Sequence, residues 1–142
     1  MHAPPLLHFQ LISPEKNVFS EAVSMVVLPG SQGVIGILPH HAPMILTLQS
    51  GVIEIYQGED ITERIFVSSG FAEIIDAGCN VIADDAIFVK DIHPDDLEAY
   101  IAQTMAEIEA TPDIDEKELL QQNLSIARAK IELFRRLSPI SK

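Results

Sequence analysis

The sequence predicts a β + α protein in two parts, an N-terminal antiparallel β-sandwich over residues 1–90 and a C-terminal α-helical hairpin over residues 91–142. Three observations support this. In the first part, short apolar runs alternate with polar residues, and turn residues separate them about every 8–12 positions. After Asp91 the apolar spacing changes from two residues to three or four, which is the period of a helix. A chain of 142 residues has room for one ordinary domain, or for one small domain and an appendage.

Alternation marks the first strands. Leu7, Phe9 and Leu11 alternate with polar residues, and the pattern resumes at Phe19 after a turn at Pro14. Most runs keep one polar face, which is typical of two sheets that pack together on their apolar faces. Beyond the central stretch, further β-branched runs occur at 61–69, 71–76, 80–83 and 87–89.

The densest turn chemistry lies in residues 28–56, where glycines and prolines separate short runs of Val, Ile and Leu. Glycine permits positive φ, and proline fixes φ and removes a donor. This composition therefore indicates tight turns between strands rather than a flexible linker. No Lys-Ser/Thr pair follows the glycines, so they do not form a phosphate-binding loop.

Helix signals begin at Pro94. Proline suits the first helical position, and Asp95 and Asp96 suit the first turn. The first helix is predicted over 94–110, with an apolar stripe of Leu97, Ile101, Met105 and Ile108. After a break at Pro112, either Asp113 with Glu116 or Asp115 with Glu118 offers an N-cap for a second helix. Its stripe is Leu120, Leu124, Ala127, Ile131 and Phe134, and Ser138-Pro139 ends it. So short a break favours an antiparallel hairpin.

The charges are unevenly distributed. The net charge of −12 argues against nucleic acid as a partner, because its phosphates would repel this surface. Residues 1–127 carry four Lys/Arg against twenty Asp/Glu, a balance of −16, whereas residues 128–142 carry five against one, a balance of +4. Two explanations stay open for the basic end. Either the helix dipole favours these cations at a helix C-terminus, or the cations form a contact surface for a partner.

No independent catalytic or metal site is indicated. His40 and His41 are neighbours, and adjacent side chains on a strand point to opposite faces. The single Cys79 excludes an internal disulfide and fits a small buried hydrophobe in a reducing cytosol. No run approaches the ~20 apolar residues of a membrane span, and the N-terminus lacks the features of a signal peptide. We therefore predict no cofactor, no metal and no membrane insertion.

An ordered series runs through the central stretch: Pro29-Gly30, Gly33, Gly36-Ile37-Leu38-Pro39, His41-Ala42-Pro43, Leu48 and Gly51-Val52-Ile53. It resembles the signature of the epsilon subunits of F-type ATP synthases. The strand-rich first part and helical tail also resemble that family's layout, so the resemblance covers nearly the whole chain. One position departs from the pattern: the family usually has glycine where this chain has His40.

The resemblance implies a non-catalytic rotor subunit that couples proton translocation to ATP synthesis. Its partners would be the gamma subunit, the c ring of the membrane sector and, through the C-terminal helices, the alpha/beta catalytic hexamer. It would lie peripherally at the cytoplasmic face of the bacterial inner membrane. The implied gamma and c-ring contacts are Ser31, Gln32, Gly33, Val34 and His41. Several relatives carry acidic residues in this loop, whereas here Gln32 and Val34 are uncharged.

The helical part would be regulatory. The resemblance implies that Arg128, Arg135 and Arg136 contact an acidic segment of the beta subunit and that the helices inhibit ATP hydrolysis. From the residues themselves, Glu132 is spaced to pair with Arg128 or Arg136.

Some members of the family bind ATP through the motif Ile/Leu-Asp-x-x-Arg-Ala. The matching segment here is 97–102, in which Glu98 replaces the aspartate and Ile101 the arginine. An isoleucine cannot supply the forked donors of arginine, so we predict no useful nucleotide binding.

The alternative to a rotor subunit is a general β-sandwich binding module that dimerises through its helices.

Overall fold

The computed structural model describes residues 4–137 of the chain, which divides into two compact units, Met1–Lys90 and Asp91–Lys142. Ten strands form the first unit. They are β1 (Leu7–Ser13), β2 (Lys16–Val23), β3 (Met25–Gly30), β4 (Gly33–Ile37), β5 (Met44–Leu48), β6 (Gly51–Gln57), β7 (Asp60–Val67), β8 (Gly70–Ile75), β9 (Gly78–Ala83) and β10 (Ala86–Phe88). A 3-10 turn follows at Val89–Asp91.

The strands form two layers, as predicted. One layer has the order β4-β3-β6-β7-β10 and the other β5-β8-β9-β1-β2. Within the described residues, a single pairing of Gly30 with Leu48 joins β3 to β5 and so connects the layers. Both layers bury their inner faces, and the alternation of Leu7, Phe9 and Leu11 correctly indicated the buried side of β1.

One strand pairing is parallel, whereas an all-antiparallel sandwich was predicted. β1 pairs with β9 in parallel, with Phe9 opposite Cys79 and Leu11 opposite Val81. The other eight strand pairings within residues 4–137 are antiparallel. A parallel pair needs a long connection, and here the strands between β1 and β9 supply it. Alternation reveals which face of a strand is buried but not the direction of its neighbour, so the sequence could not show this pair.

The second unit contains α1 (Pro94–Ala110) and α2 (Ile114–Leu137). The bounds of α1 are those predicted. α2 begins at Ile114 because Asp113, rather than Asp115, caps it: the Asp113 carboxylate accepts a hydrogen bond from the Asp115 backbone N–H at 3.0 Å. Ser138-Pro139, the predicted end of the helix, lies outside the described residues. Neither helix of the described chain is long and apolar enough to span a membrane.

The buried face of α1 differs from the prediction at one position. Thr104 is 2% exposed, whereas Met105 is 45% exposed, so the placement of Met105 in the apolar stripe was wrong. Thr104 is three residues after Ile101 and four before Ile108, so it lies on the same face of the helix. The sequence pattern did not identify it as buried because its side chain is polar. On α2 the stripe is confirmed, with Leu124, Ala127 and Ile131 buried.

Candidate functional site

The first candidate surface is the tip of the β3–β4 hairpin. Ser31 and Gln32 form its two-residue loop between the paired Gly30 and Gly33. Gly33 has φ of +132°, a conformation that side chains with a Cβ rarely adopt, which explains the glycine. The Ser31 backbone N–H donates to the Thr47 carbonyl at 2.8 Å. The tip is therefore tied to β5.

Four of the five predicted contact residues lie together at this tip. Ser31, Gln32, Gly33 and Val34 are all exposed, and Val34 is 74% exposed. They line a groove of about 570 Å³ between the hairpin and β5, bordered by residues 30–35 and 44–47.

His41 does not line this groove. It is half-buried, its backbone N–H donates to the Leu38 carbonyl at 3.2 Å, and its Nδ1 lies 2.8 Å from the Ala42 carbonyl oxygen. The structure thus brings together the four hairpin residues and leaves His41 in the following turn.

His40 has φ of 64°, in the left-handed region. Glycine adopts this conformation without a steric penalty, so the glycine that the family resemblance leads us to expect at this position would fit it better than histidine does. The His40 Nδ1 lies 3.6 Å from the Asp76 carboxylate, and both side chains are largely exposed. An exposed pair of this kind contributes little to stability.

Sequence reasoning missed the apolar residues around the hairpin tip. Ile45 and Met44 on β5 are 73% and 36% exposed, and both line the groove beside the tip. A signal was present, because the chain has no Asp, Glu, Lys or Arg between Glu21 and Glu54, although its net charge is −12. Exposed apolar side chains in an uncharged stretch are typical of an interaction surface.

The second candidate surface is the basic face of the helical hairpin. The Arg135 Nη2 donates to the Glu98 Oε2 at 2.6 Å, and the Arg128 Nη2 donates to the Met105 Sδ at 3.4 Å. Residues in reverse order along the two helices thus contact each other, which confirms that the hairpin is antiparallel.

A cavity of about 490 Å³ lies beside these contacts. It is lined by Glu98, Ile101, Arg128, Ile131, Glu132, Arg135 and Arg136. The three predicted arginines therefore share one site with two carboxylates.

The predicted pairing of Glu132 was wrong: within residues 4–137, no ion pair joins it to Arg128 or Arg136. Pairs at four-residue spacing are worth only a few tenths of a kcal/mol. Contacts between the helices outweigh them here, because Arg128 is directed to Met105 and Arg135 to Glu98.

The two residues that depart from the nucleotide motif both line this cavity. Ile101 presents an apolar side chain there, and Glu98 is bound to Arg135. The absence of useful nucleotide binding stays a prediction. The apolar side chain of Ile101 and the engagement of Glu98 by Arg135 both agree with it.

Cys79 is fully buried in β9, where it contributes to the core as predicted. Burial raises the pKa of its thiol from 9.0 to about 12. The thiolate is the nucleophilic form, so this side chain is unreactive near neutral pH. Among the described residues, no group of three or more His, Cys, Asp or Glu side chains is arranged to hold a metal ion.

The solved structures similar to this chain include two mitochondrial ATP synthases. The Euglena gracilis complex of OSCP, F1 and c-ring contains a chain that superposes with a TM-score of 0.72 at 18% identity, covering 94% of this chain and 83% of that one. The central stalk and c-ring of Tetrahymena thermophila contains a chain with a TM-score of 0.61 at 14% identity, covering 92% and 94%. At these identities, the likeness shows the fold alone.

Sequence comparison identifies the family. The model of the ATP synthase delta/epsilon chain, beta-sandwich domain, matches residues 6–89. The ATP synthase epsilon chain of Rhodospirillum centenum is 42% identical over 134 residues, covering 90% of this chain and 91% of the relative. That of Granulibacter bethesdensis is 39% identical over 128 residues, covering 89% and 95%. The chain therefore belongs to the ATP synthase epsilon-chain family, as its central stretch of glycines, prolines and His41 predicted.

Proposed function

We propose that the chain is a central-stalk rotor subunit of a bacterial ATP synthase that couples proton translocation to ATP synthesis and catalyses neither step. The observation that carries this proposal is the identity to bacterial epsilon chains, which extends over 91% and 95% of two relatives and so includes both units. The fold likeness to chains of F1/c-ring and central-stalk complexes agrees with it.

The sandwich is the attachment unit in this proposal. The hairpin tip at Ser31, Gln32, Gly33 and Val34 contacts the gamma subunit and the c ring. Its exposure and the apolar groove beside it support this role. His41 is included through the family resemblance, since its ring lies outside the groove.

The helical hairpin is the regulatory unit. Arg128, Arg135 and Arg136 contact an acidic segment of the beta subunit when the hairpin opens, and the open hairpin slows rotation in the direction of ATP hydrolysis. The exposure of all three arginines supports this, as does the strongly acidic balance of the remainder of the chain. The protein is peripheral at the cytoplasmic face of the inner membrane, held there by its protein partners.

Purification of the tagged chain from its source organism in mild detergent tests this function. The gamma, alpha, beta and c subunits should be recovered in the same particle, and the particle should hydrolyse ATP. A tagged chain ending at Lys90 is the matched control, which should recover the same subunits because it retains the sandwich. Recovery of the full chain only as a homodimer would support the alternative, a binding module without a motor.

A further inference from the structure

β5 has an edge that is open along most of its length. On one side, β5 pairs with β8 from Met44 to Leu48. On the other side, β3 pairs with it only at Leu48, and no other strand of residues 4–137 covers that edge. An open strand edge presents backbone N–H and C=O groups to which another strand can bind.

The hydrogen bonds at the end of β5 show which residue presents those groups. The Thr47 carbonyl accepts from the Ser31 N–H, so the backbone groups of Thr47 point toward the open side. Along an antiparallel strand, the backbone groups of alternate residues point to the same edge. Ile45, two residues before Thr47, therefore directs its N–H and C=O toward the open edge.

The groove of about 570 Å³ borders this edge. Val34 on β4 and Ile45 on β5 both line it and are 74% and 73% exposed. An extended peptide beside Ile45 would place every second side chain toward one face, and the groove offers those side chains an apolar surface.

The charge pattern selects the chemistry of the occupant. All 21 acidic and nine Lys/Arg residues lie outside the stretch from Ala22 to Ile53, which includes the whole groove. A charged segment would lose water at this surface without gaining an opposite charge. An uncharged, apolar segment has no such penalty.

We propose that β5 binds an extended, uncharged segment of another subunit as an added strand, with hydrogen bonds to the backbone of Ile45 and apolar side chains in the groove. This inference rests on the proposed function, because the segment belongs to another subunit of the assembled ATP synthase. Strand addition of this kind takes its affinity from backbone hydrogen bonds and its specificity from side-chain pockets.

Proline substitution separates the backbone from the side chain. Ile45→Pro removes the N–H, and an edge strand tolerates proline where that N–H is not bonded within the sheet. Ile45→Ala is the matched control, because it shortens the side chain and keeps the N–H. Val34→Pro applies the same test to the outer edge of β4. Val34 pairs with Pro29, and the Pro29 carbonyl accepts a hydrogen bond from the Gln49 N–H on the side of β3 that faces away from β4. The Val34 N–H therefore points away from β3.

Binding of each full-length variant is measured to the ATP synthase of the source organism depleted of this chain, at low and high salt. Ile45→Pro should bind about tenfold more weakly than Ile45→Ala, equivalent to the loss of one hydrogen bond. Val34→Pro should bind as Val34→Ala does, because the proposed contact uses the side chain of Val34 and not its N–H. The ratio of affinities between Ile45→Pro and Ile45→Ala should change little with salt, because the strand contact itself involves no ion pair.

Hydrogen exchange gives a readout that does not depend on the variants. The Ile45 amide should exchange rapidly in the free wild-type chain and slowly in the complex. Equal binding of Ile45→Pro and Ile45→Ala would overturn the proposal, as would rapid exchange of this amide in the complex. If the wild type binds but its Ile45 amide is unprotected, the proposed function stays intact and only the strand addition is overturned. If the wild type does not bind, the strand addition and the proposed function are both overturned. A homodimer with a protected Ile45 amide would overturn the proposal, because the edge would then be covered by a second copy of this chain.

Discussion

Arg135 on α2 donates a hydrogen bond to Glu98 on α1, with 2.6 Å between Nη2 and Oε2. The pair joins the last turns of α2 to the first turns of α1, so it fastens the open end of the hairpin. The two side chains are 62% and 55% exposed, and water screens such a pair to within about 1 kcal/mol. In the closed hairpin, Arg135 is thus held by an internal partner, weakly enough to be exchanged for another.

Removing this internal partner should favour the open hairpin. Glu98→Gln should lower the melting temperature of the helices slightly, because an exposed pair contributes about 0.2–1 kcal/mol. In the assembled enzyme, the same change should strengthen the inhibition of ATP hydrolysis, because it frees Arg135. Circular dichroism and ATPase rates measure the two effects.

The control for this change is Glu132→Gln, which removes a carboxylate from the same cavity that has no ion pair within residues 4–137. The exchange Glu98→Arg with Arg135→Glu should restore helix stability but not inhibition. Identical ATPase rates for Glu98→Gln and Glu132→Gln would show that the pair does not hold the hairpin closed.

The sandwich should fold without the helices. The main core cluster is formed by residues between Leu7 and Phe88, and domains of this size fold alone. A chain ending at Lys90 should melt in one cooperative transition and still bind the gamma subunit. Residues 91–142 alone should melt without a cooperative transition, because few side chains of residues 91–137 are buried. Loss of gamma binding by the shortened chain would contradict this division of roles.

His40 should be a site where glycine stabilises the protein. The left-handed conformation disfavours a residue with a Cβ by about 1–2 kcal/mol, and glycine loses about 0.4–1 kcal/mol through the freer unfolded chain. His40→Gly should therefore raise the free energy of unfolding by about 0.5–1 kcal/mol in urea denaturation. His40→Ala keeps the Cβ and should show no gain. A gain of equal size for alanine would mean that the imidazole, rather than the backbone, is unfavourable.

Much of the fold could be predicted from residue order, because burial follows a local period. The alternation in β1 identified the buried Phe9, and the spacing of Leu124, Ala127 and Ile131 identified the inner face of α2. Burial of Thr104 and the parallel neighbour of β1 depend on which residues approach from elsewhere in the chain. No local pattern reports such contacts.

The candidate sites were predictable to a different extent. The two-residue loop at Ser31 and Gln32 could be recognised from its flanking glycines. The open edge at Ile45 depends on where β3 leaves β5, which is a property of the whole sheet. Likewise, the choice of Glu98 over Glu132 for pairing with an arginine depends on the register of the two helices.

Cys79 should make stability fall at alkaline pH. Folding raises its pKa from 9.0 to about 12 through burial, so the stabilisation is complete below pH 9.0 and is lost as the pH rises toward 12. The free energy of unfolding should fall by about 1.4 kcal/mol for each pH unit above 9.0. Urea denaturation across this range measures it. Cys79→Ala isolates the thiol from the tyrosines and lysines that titrate in the same range, and a wild-type slope in that variant would exclude the thiol as the cause.

The basic face of α2 supports the last prediction, which concerns rotation. α1 and α2 are about 25 Å and 36 Å long at 1.5 Å per residue. Opened end to end, they could extend far along a central shaft, but opening exposes their apolar stripes. Partner subunits must then cover those stripes, so the closed and open states should be close in free energy. An arginine contact to an acidic segment of the beta subunit would shift that balance toward the open state.

Charge reversal at Arg128, Arg135 and Arg136 should therefore raise the ATPase activity of the assembled enzyme while leaving assembly intact, because it replaces attraction to the acidic segment by repulsion. Lys117→Glu, at the other end of α2, is the control for a change of charge alone and should leave the rate unchanged. High salt should narrow the difference between the triple variant and the wild type, since exposed charges are screened. If the triple variant hydrolyses ATP at the wild-type rate in low salt, the hairpin is not an electrostatic brake, and its basic end serves only to match the helix dipole.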